Sequence, residues 1–312
     1  MQWRKPLEVV FLTNFSDACF RAIPWVAQLA DDLSIGLTIA HAYDPQVARR
    51  AEVEALLSSF FPEADHFART SRVAMPGDPV NLLRKLEETR DVDLVICPAS
   101  DALGMPRLGH RSLRASILHD CGFPVWTIGR HTDTVKLKQP VKNVACWVEA
   151  GHQAPVHLKL AVAYATALEA QLHVLHLVPE IHEGLMALPT IEDRPLHEDG
   201  ARRAVEDLVP RSTQSLHVHV ASGNGVRSQS KLLKQCNADV AFASVERFAL
   251  TDWIRSDIDR VDRHACPTIC VSSRAASREW NLLPGPAYAT RQSERGNLVT
   301  SIPASFYSQK AS

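Results

Sequence analysis

The sequence lacks long apolar runs and a surplus of either charge. No hydrophobic stretch approaches the roughly 20 residues that a membrane-spanning helix needs, and the first apolar run, residues 9–12, is too short for a secretory signal. The 34 basic and 35 acidic residues nearly cancel, whereas non-specific nucleic-acid binding depends on a large basic surplus. We therefore expect a cytoplasmic protein that binds neither a membrane nor nucleic acid.

Paired cysteines and catalytic motifs are also missing. The seven cysteines form no CxxC pair, and the only ligand-like cluster, His264, Cys266 and Cys270, lacks the close, paired spacing of zinc sites. There is no G-x-S-x-G elbow, HExxH helix or GK[ST] phosphate loop. The sequence therefore predicts reduced structural thiols, no metal site, no catalytic residues and a protein that is not an enzyme.

What the chain does contain is an internal repeat with the length of a domain. Identity between the two copies is low, but a series of anchor residues occurs in the same order in each half, which indicates a duplication. The offset is 135 residues at the start of the repeat, 146 in the middle and 143 at the end. The aligned pairs are Asn14 with Glu149, His41 with His176, Gly77 with Gly223, Asp93 with Asp239, and Pro124 with Pro267.

Each copy alternates short apolar strands with amphipathic helices. Residues 9–13 have the pattern of a buried parallel strand, and apolar residues at three- and four-residue intervals over 23–33 indicate a helix. Asp78 can cap the third helix. This alternation predicts an α/β fold. We expect two tandem, open, five-stranded parallel sheets with helices on both faces, of the adenine-nucleotide-binding type.

The repeat also predicts the domain boundaries. We expect domain 1 over residues 1–130, a polar linker over 131–140, domain 2 over 141–273 and a tail over 274–312. The tail has no sustained periodicity and is rich in Gly, Pro, Ser and Thr, so most of it is expected to be disordered. In the alternative, its apolar residues Trp280, Leu282 and Leu283 dock on the body of the protein.

Several segments, taken in order, carry a resemblance to a known family. They are LTNFSDA after the first strand, GDP at 77–79, DLVICP from Asp93, and the closing runs GFPVWTI and ACPTICV. Over residues 7–129 and 142–272 the chain thereby resembles the universal stress proteins. The resemblance implies a non-enzymatic role in stress response or signalling. It also implies dimerisation through the last strand, which in a tandem chain could pair the two domains with each other. In the alternative, the tail buries these edge strands.

The resemblance further implies a nucleotide site whose motif has decayed. Nucleotide-binding members carry G-x2-G-x9-G-[ST] after the fourth strand, where glycines let backbone amides approach the phosphates. Counting back from Pro124 places Pro98, Asp101 and Arg111 at the three glycines and Ser112 at the hydroxyl position. The second half retains less of the pattern. We therefore expect weak or lost ATP binding and no cofactor.

Five residues of the first domain remain candidates for a ligand site: Asn14, Ser16, His41, Arg111 and Ser112. Each has a structural alternative. Asn14 and Ser16 can cap the first helix and Ser112 the fourth, and His41 can be a hydrogen-bonded structural histidine. A basic cluster at the fourth helix can grip a phosphate or form a solvated loop, and it comprises Arg107, His110, Arg111 and Arg114.

Three functions follow from these observations. The leading hypothesis is a tandem universal stress protein without catalytic activity, with an unidentified protein partner and either a single chain or a homodimer as its assembly. The second is a protein that binds an adenine nucleotide or another anion through the first domain only. The third is a slow ATP-hydrolysing enzyme.

Overall fold

The chain is described here by a computed structural model. It covers residues 2–3, 7–33, 35–99, 112–129, 132, 137, 139–149, 155–178, 194–209, 215–223, 225–245, 261, 264–272, 274–275 and 282–283. The strands are β1 (Gln2–Trp3), β2 (Leu7–Leu12), β3 (Ile35–Tyr43), β4 (Thr70–Pro76), β5 (Leu94–Ile96), β6 (Val125–Thr127), β7 (Asn143–Trp147), β8 (Gln171–Val178), β9 (Leu216–Ser222), β10 (Val240–Ser244), β11 (Thr268–Val271) and β12 (Leu282–Leu283).

Helices connect most of these strands. They are α1 (Asp17–Asp32), α2 (Arg50–Ser59), α3 (Pro79–Thr89), α4 (Leu113–Ser116), α5 (Val156–Ala167), α6 (Arg194–Glu206) and α7 (Gly225–Gln235), with a 3-10 turn at Pro62–His66 and a π-helical turn at Ile117–Cys121. The fourth helix is not a regular α-helix. Its α-helical part is four residues long, and the π-helical turn completes it before Gly122, which has a φ of 73°.

Ten strands form one continuous sheet in the order β4-β3-β2-β5-β6-β11-β10-β7-β8-β9. Each half of the chain supplies five mutually parallel strands, as the sequence predicts. The two sheets are not separate, because β6 pairs antiparallel with β11. An open strand edge exposes unpaired backbone groups, and this pairing satisfies both inner edges at once.

The pairing of β6 with β11 occurs through the final strands of the two copies, as the resemblance implies. Its register joins Val125 to Cys270, Trp126 to Ile269 and Thr127 to Thr268. Both strands are also paired on their other sides, to β5 and β10. Neither final strand is therefore open for pairing with a second chain.

Helices cover both faces of the sheet, as expected for parallel strands. On one face, α1 and α5 contribute to a single apolar core that crosses the β6–β11 pairing and joins the two halves. On the other face, α3 and α4 bury one cluster and α7 another. Asp78 caps α3, since its side chain accepts hydrogen bonds from the amides of Val80 and Asn81, each at 3.0 Å, so this part of the prediction is confirmed.

The duplication is visible in equivalent hydrogen bonds. In the first half, Asp93 Oδ2 accepts from the amide of Glu8 at 2.9 Å, and in the second half Asp239 Oδ2 accepts from the amide of Asn143 at 3.0 Å. The backbone amides of the two aspartates return the bond to the carbonyls of the same partners. These aspartates therefore fix the fourth strand of each copy beside the first.

The terminal segments meet as a short antiparallel pair, in which Gln2 lies opposite Leu283 and Trp3 opposite Leu282. This pairing matches the alternative in which the apolar residues of the tail dock on the body. The other predictions for the tail, Trp280 among them, lie outside the described residues.

Arg114 holds the start of the fourth helix to the sheet junction. It is only 6% exposed, and its Nη1 donates to the hydroxyl of Thr127 at 2.7 Å. The sequence offers two roles for the basic cluster, gripping a phosphate or forming a solvated loop, and for the buried Arg114 both are wrong. The guanidinium instead supplies the hydrogen bond that the buried Thr127 hydroxyl requires.

Thr127→Val keeps the shape of this side chain but removes a hydroxyl to which Arg114 donates. We expect a loss of unfolding free energy of about 1.5–3 kcal/mol, the range for a hydrogen bond to a charged group. Urea denaturation followed by circular dichroism measures it. Thr89→Val is the matched control, since that hydroxyl bonds the carbonyl of Leu86 at the end of its own helix, and an equal loss in both variants would contradict the role of Arg114.

The second half carries a group of three histidines on β8 and β9. His173 Nδ1 lies 3.0 Å from His219 Nε2, and the ring of His217 stacks on His173 with 5.0 Å between centroids. Burial, and then the neighbouring His219 and His217, lower the pKa of His173 from 6.5 to about 4, while Asp239 acts in the opposite direction. Burial, His217 and Arg202 also lower the pKa of His219.

Acidification is therefore expected to destabilise the fold through these histidines. Between the unfolded pKa of 6.5 and the folded value of about 4, the unfolded chain binds more protons, so stability falls as the pH falls through this window. Urea midpoints at intervals from neutral to acidic pH measure the slope. His173→Asn should flatten it, and an unchanged slope would contradict this cause.

Candidate functional site

The strand order places one candidate crevice in each half. Ligands of open parallel sheets bind beyond the carboxyl ends of the strands, where the strand order reverses. In the first half the order reverses between β2 and β5, and in the second between β7 and β10. The residues that follow Leu12, Ile96, Trp147 and Ser244 are therefore those that face a ligand position.

A tight turn follows β2 in the first half. Thr13 Oγ1 accepts from the amide of Phe15 at 3.0 Å, and Asn14 Oδ1 accepts from the amide of Ser16 at 3.2 Å. Between these two bonds Phe15 adopts a left-handed conformation with a φ of 59°. Two consecutive side chains thus hold the backbone that enters α1.

The expectation that Asn14 and Ser16 cap the first helix holds only in part. Ser16 occupies the N-cap position of α1, but its side chain makes no capping hydrogen bond. Its hydroxyl instead lies 3.6 Å from Cys19 Sγ, which in turn donates to Asn14 Oδ1 at 3.2 Å. The Ser16 hydroxyl therefore contacts the thiol of Cys19, in the first turn of α1, and not a backbone amide of the helix.

His41 fastens the end of β3 to the end of β2. Its Nδ1 donates to the carbonyl of Thr13 at 2.7 Å, and its ring packs on Phe15 at a centroid distance of 4.5 Å. In the second half, His176 Nδ1 donates to the carbonyl of Val148 at 2.9 Å. The two histidines are 135 residues apart, and so are the residues whose carbonyls they bond, Thr13 and Val148, which is the offset of the repeat. The pair thus matches the structural alternative for His41, a hydrogen-bonded histidine common to both copies.

Of the two candidate residues at the fourth helix, Ser112 and Arg111, the structure describes only Ser112. Ser112 occupies the N-cap of α4, and its Oγ accepts from the amide of Ala115 at 3.2 Å, which confirms the capping alternative. Arg111, with Arg107 and His110 of the same predicted cluster, lies outside the described residues. The structure therefore brings Asn14, Ser16 and His41 together at the β2 turn, and of the basic cluster it describes only Arg114.

Sequence reasoning missed two residues at these strand ends. Phe15 carries the left-handed turn, and its ring also contacts Phe60 edge-on at 5.6 Å. In the second half, His157 Nε2 donates to the carbonyl of Trp147 at 2.7 Å and ties α5 to the end of β7. The repeat gave no signal for His157, because its equivalent in the first half is Ala22.

The described residues contain no group of three or more His, Cys, Asp or Glu side chains arranged to hold a metal ion. His264, from the predicted ligand-like cluster, bonds the hydroxyl of Thr268 at 3.0 Å. The seven cysteines form no disulfide, and six of them are buried. None of the helices in the described part of the chain combines the length and apolar character that a membrane crossing needs.

Comparisons with known proteins give matches only among solved structures. No protein-family model matches the chain, and no curated protein matches it. A universal stress protein from Archaeoglobus fulgidus is 16% identical, with a TM-score of 0.58 over 85% of this chain and 98% of that one. A putative universal stress protein from Pseudomonas aeruginosa is 15% identical, with a TM-score of 0.54 over 86% of this chain and 95% of that one.

The chain has the universal stress protein fold. This confirms, at the level of the fold, the resemblance found in the sequence. The same fold also occurs outside stress proteins, because the cytoplasmic domain of a prokaryotic cation chloride cotransporter is 12% identical with a TM-score of 0.50 over 86% of this chain and 97% of that one. A fold shared at such low identity does not define an activity.

His41→Ala and His176→Ala test the structural role of the paired histidines. Each substitution removes one hydrogen bond between strand ends, so each should lower the unfolding free energy by about 1 kcal/mol. Urea denaturation measures both. His66→Ala is the control, since His66 is exposed and bonds within its own turn to the carbonyl of Glu63. An unchanged stability for His41→Ala alone would contradict the equivalence of the two copies.

Proposed function

We propose that this chain is a tandem member of the universal stress protein family that acts without catalysis in stress response or signalling. Its domains span residues 1–130 and 141–273, joined by the linker 131–140. In this proposal the protein works in the cytoplasm through a protein partner, and it binds ATP weakly or not at all. The fold and its duplication within one chain support the family assignment.

The observation that carries the proposal is that the polar side chains at the crevice already have partners within the protein. Asn14 Oδ1 bonds the amide of Ser16, His41 Nδ1 bonds the carbonyl of Thr13, and Ser112 Oγ bonds the amide of Ala115. A nucleotide would have to compete with these bonds. These side chains therefore stabilise the turn after β2 and the start of α4, and they do not form a preorganised site for a ribose or a phosphate.

The backbone after β5 supports the same conclusion. A phosphate loop of this kind depends on amides that point at the ligand. Here the amide of Cys97 donates to the carbonyl of Trp126 at 3.0 Å and that of Ala99 to Ile128 at 3.2 Å. Pro98, between them, has no amide hydrogen. The amides on either side of Pro98, the position of the first motif glycine, are thus bonded within the protein and do not point at a ligand.

A second candidate function is the binding of an adenine nucleotide or another anion through the first domain only. The exposed Asn14 side chain at the end of β2 and the partly exposed Ser112 at the start of α4 favour it. Arg111, next to Ser112 in sequence, would supply the charge. The second half carries an exposed carboxylate, Glu149, at the position of Asn14, which would repel an anion.

Isothermal titration of the full chain with ATP, ADP and AMP distinguishes the two functions. The proposal predicts no binding in the low micromolar range, and binding in that range would overturn the loss of the site. The second candidate instead predicts nucleotide carried through purification and detected by mass spectrometry. Arg111→Ala should then remove it, whereas the control Arg50→Ala, exposed and paired with Glu54, should not.

Hydrolysis is a separate test of the non-enzymatic role. The purified chain should release no phosphate from ATP above the buffer background. Slow hydrolysis that is abolished by Arg111→Ala and retained by Arg50→Ala would overturn this part of the proposal and revive the enzyme hypothesis.

A further inference from the structure

Two histidine nitrogens face each other on neighbouring strands of the second half. His173 on β8 is buried, with 7% of its surface exposed, and its Nδ1 lies 3.0 Å from Nε2 of His219 on β9. His219 is partly exposed. The two residues are held by the β8–β9 register, in which His219 lies opposite Leu175 and His173 opposite His217.

A chain of hydrogen bonds sets the tautomer of His173. The Nδ2 group of Asn143 donates to the carbonyl of Asn237 at 3.4 Å, so Asn143 Oδ1 is the atom that faces His173 Nε2 at 3.2 Å. An amide oxygen only accepts, so His173 Nε2 carries the proton and Nδ1 carries the lone pair. This lone pair is directed at His219.

Such an arrangement is typical of histidines that bind metals. A ligating imidazole usually donates its second N–H to an oxygen, which fixes both the tautomer and the orientation of the ring. We propose that His173 Nδ1 and His219 Nε2 form a two-histidine site for a divalent transition-metal ion. His219 becomes a ligand when its proton moves from Nε2 to Nδ1, so no net proton is released, and water completes the coordination.

The separation of the two nitrogens indicates which ions fit. With metal–nitrogen bonds of about 2.0–2.1 Å, a 3.0 Å separation corresponds to an angle of roughly 90° at the metal. Right angles between imidazole ligands are typical of square-planar or octahedral ions such as Ni²⁺ and Cu²⁺. Late transition ions of this class also bind nitrogen ligands more tightly than Mn²⁺ or Fe²⁺ do.

His217 does not complete a three-histidine site in this arrangement. Its ring is stacked on His173 at an interplanar angle of 18°, so its nitrogens lie in a separate, nearly parallel plane. It covers one face of His173 and is itself exposed. His217 is therefore a matched control for its neighbours, similar in chemistry and position but not in the direction of its nitrogens.

The equivalent position in the first half is built differently. At the 135-residue offset, His173 corresponds to Thr38 on β3, whose hydroxyl lies 3.0 Å from that of Ser71 on β4. The guanidinium of Arg90 donates to both hydroxyls, at 2.9 and 3.0 Å. Neither hydroxyl is a nitrogen ligand, so of these two equivalent positions only the one in the second half offers a pair of imidazoles.

Ni²⁺ titration of the full-length, tag-free chain tests the proposal after treatment with a chelator. Ni²⁺ is the probe because, unlike Cu²⁺, it does not oxidise thiols. The expected result is one ion bound per chain. His219→Gln should lower the affinity at least tenfold, and Asn143→Ala, which removes the orienting acceptor, by about 10–100-fold. His217→Gln and the exposed His66→Gln should leave the affinity unchanged.

Other outcomes overturn the proposal. They are the absence of saturable binding by the unmodified chain, equal binding by His219→Gln, or a loss on His217→Gln with none on His219→Gln. Urea denaturation of each variant shows that it is folded before titration.

Discussion

The antiparallel pairing of β6 with β11 is the interaction on which the remaining architecture depends. Two parallel five-stranded sheets each have an inner edge whose backbone groups need partners, and each edge is the final strand of its copy. Because the copies are related by duplication, the same apolar strand supplies both sides of the junction. The core on one face is continuous across it, so the two halves share a hydrophobic interior as well as a sheet.

The hydrogen bonds that the two halves share define a scaffold, and the residues that differ define what each half can do. Asp93 and Asp239 fix the fourth strand beside the first in both copies, and His41 and His176 fasten the end of the second strand to the first. The strand ends, by contrast, have diverged. A duplicated nucleotide-type fold therefore need not have two nucleotide sites, since scaffold and site are carried by different residues.

Prediction from sequence succeeded where the cause was local. The Asp78 cap of α3 and the Ser112 cap of α4 follow from side chains that reach amides two or three residues away. Prediction failed for Arg114, because charged side chains are almost never fully buried unless they are paired. Its partner, Thr127, lies in the sheet, and sequence periodicity carries no signal for such a contact.

The sequence by itself determined the α/β class, the duplication, the five strands of each copy and the loss of the glycine pattern, because periodicity and the order of anchors depend on near neighbours. Only the tertiary structure decided that the two sheets are one and that the amides after β5 are already bonded. It also decided that Asn143, His173 and His219 meet. These contacts join residues far apart in the chain, and strand register, which brings them together, is a property of the whole sheet.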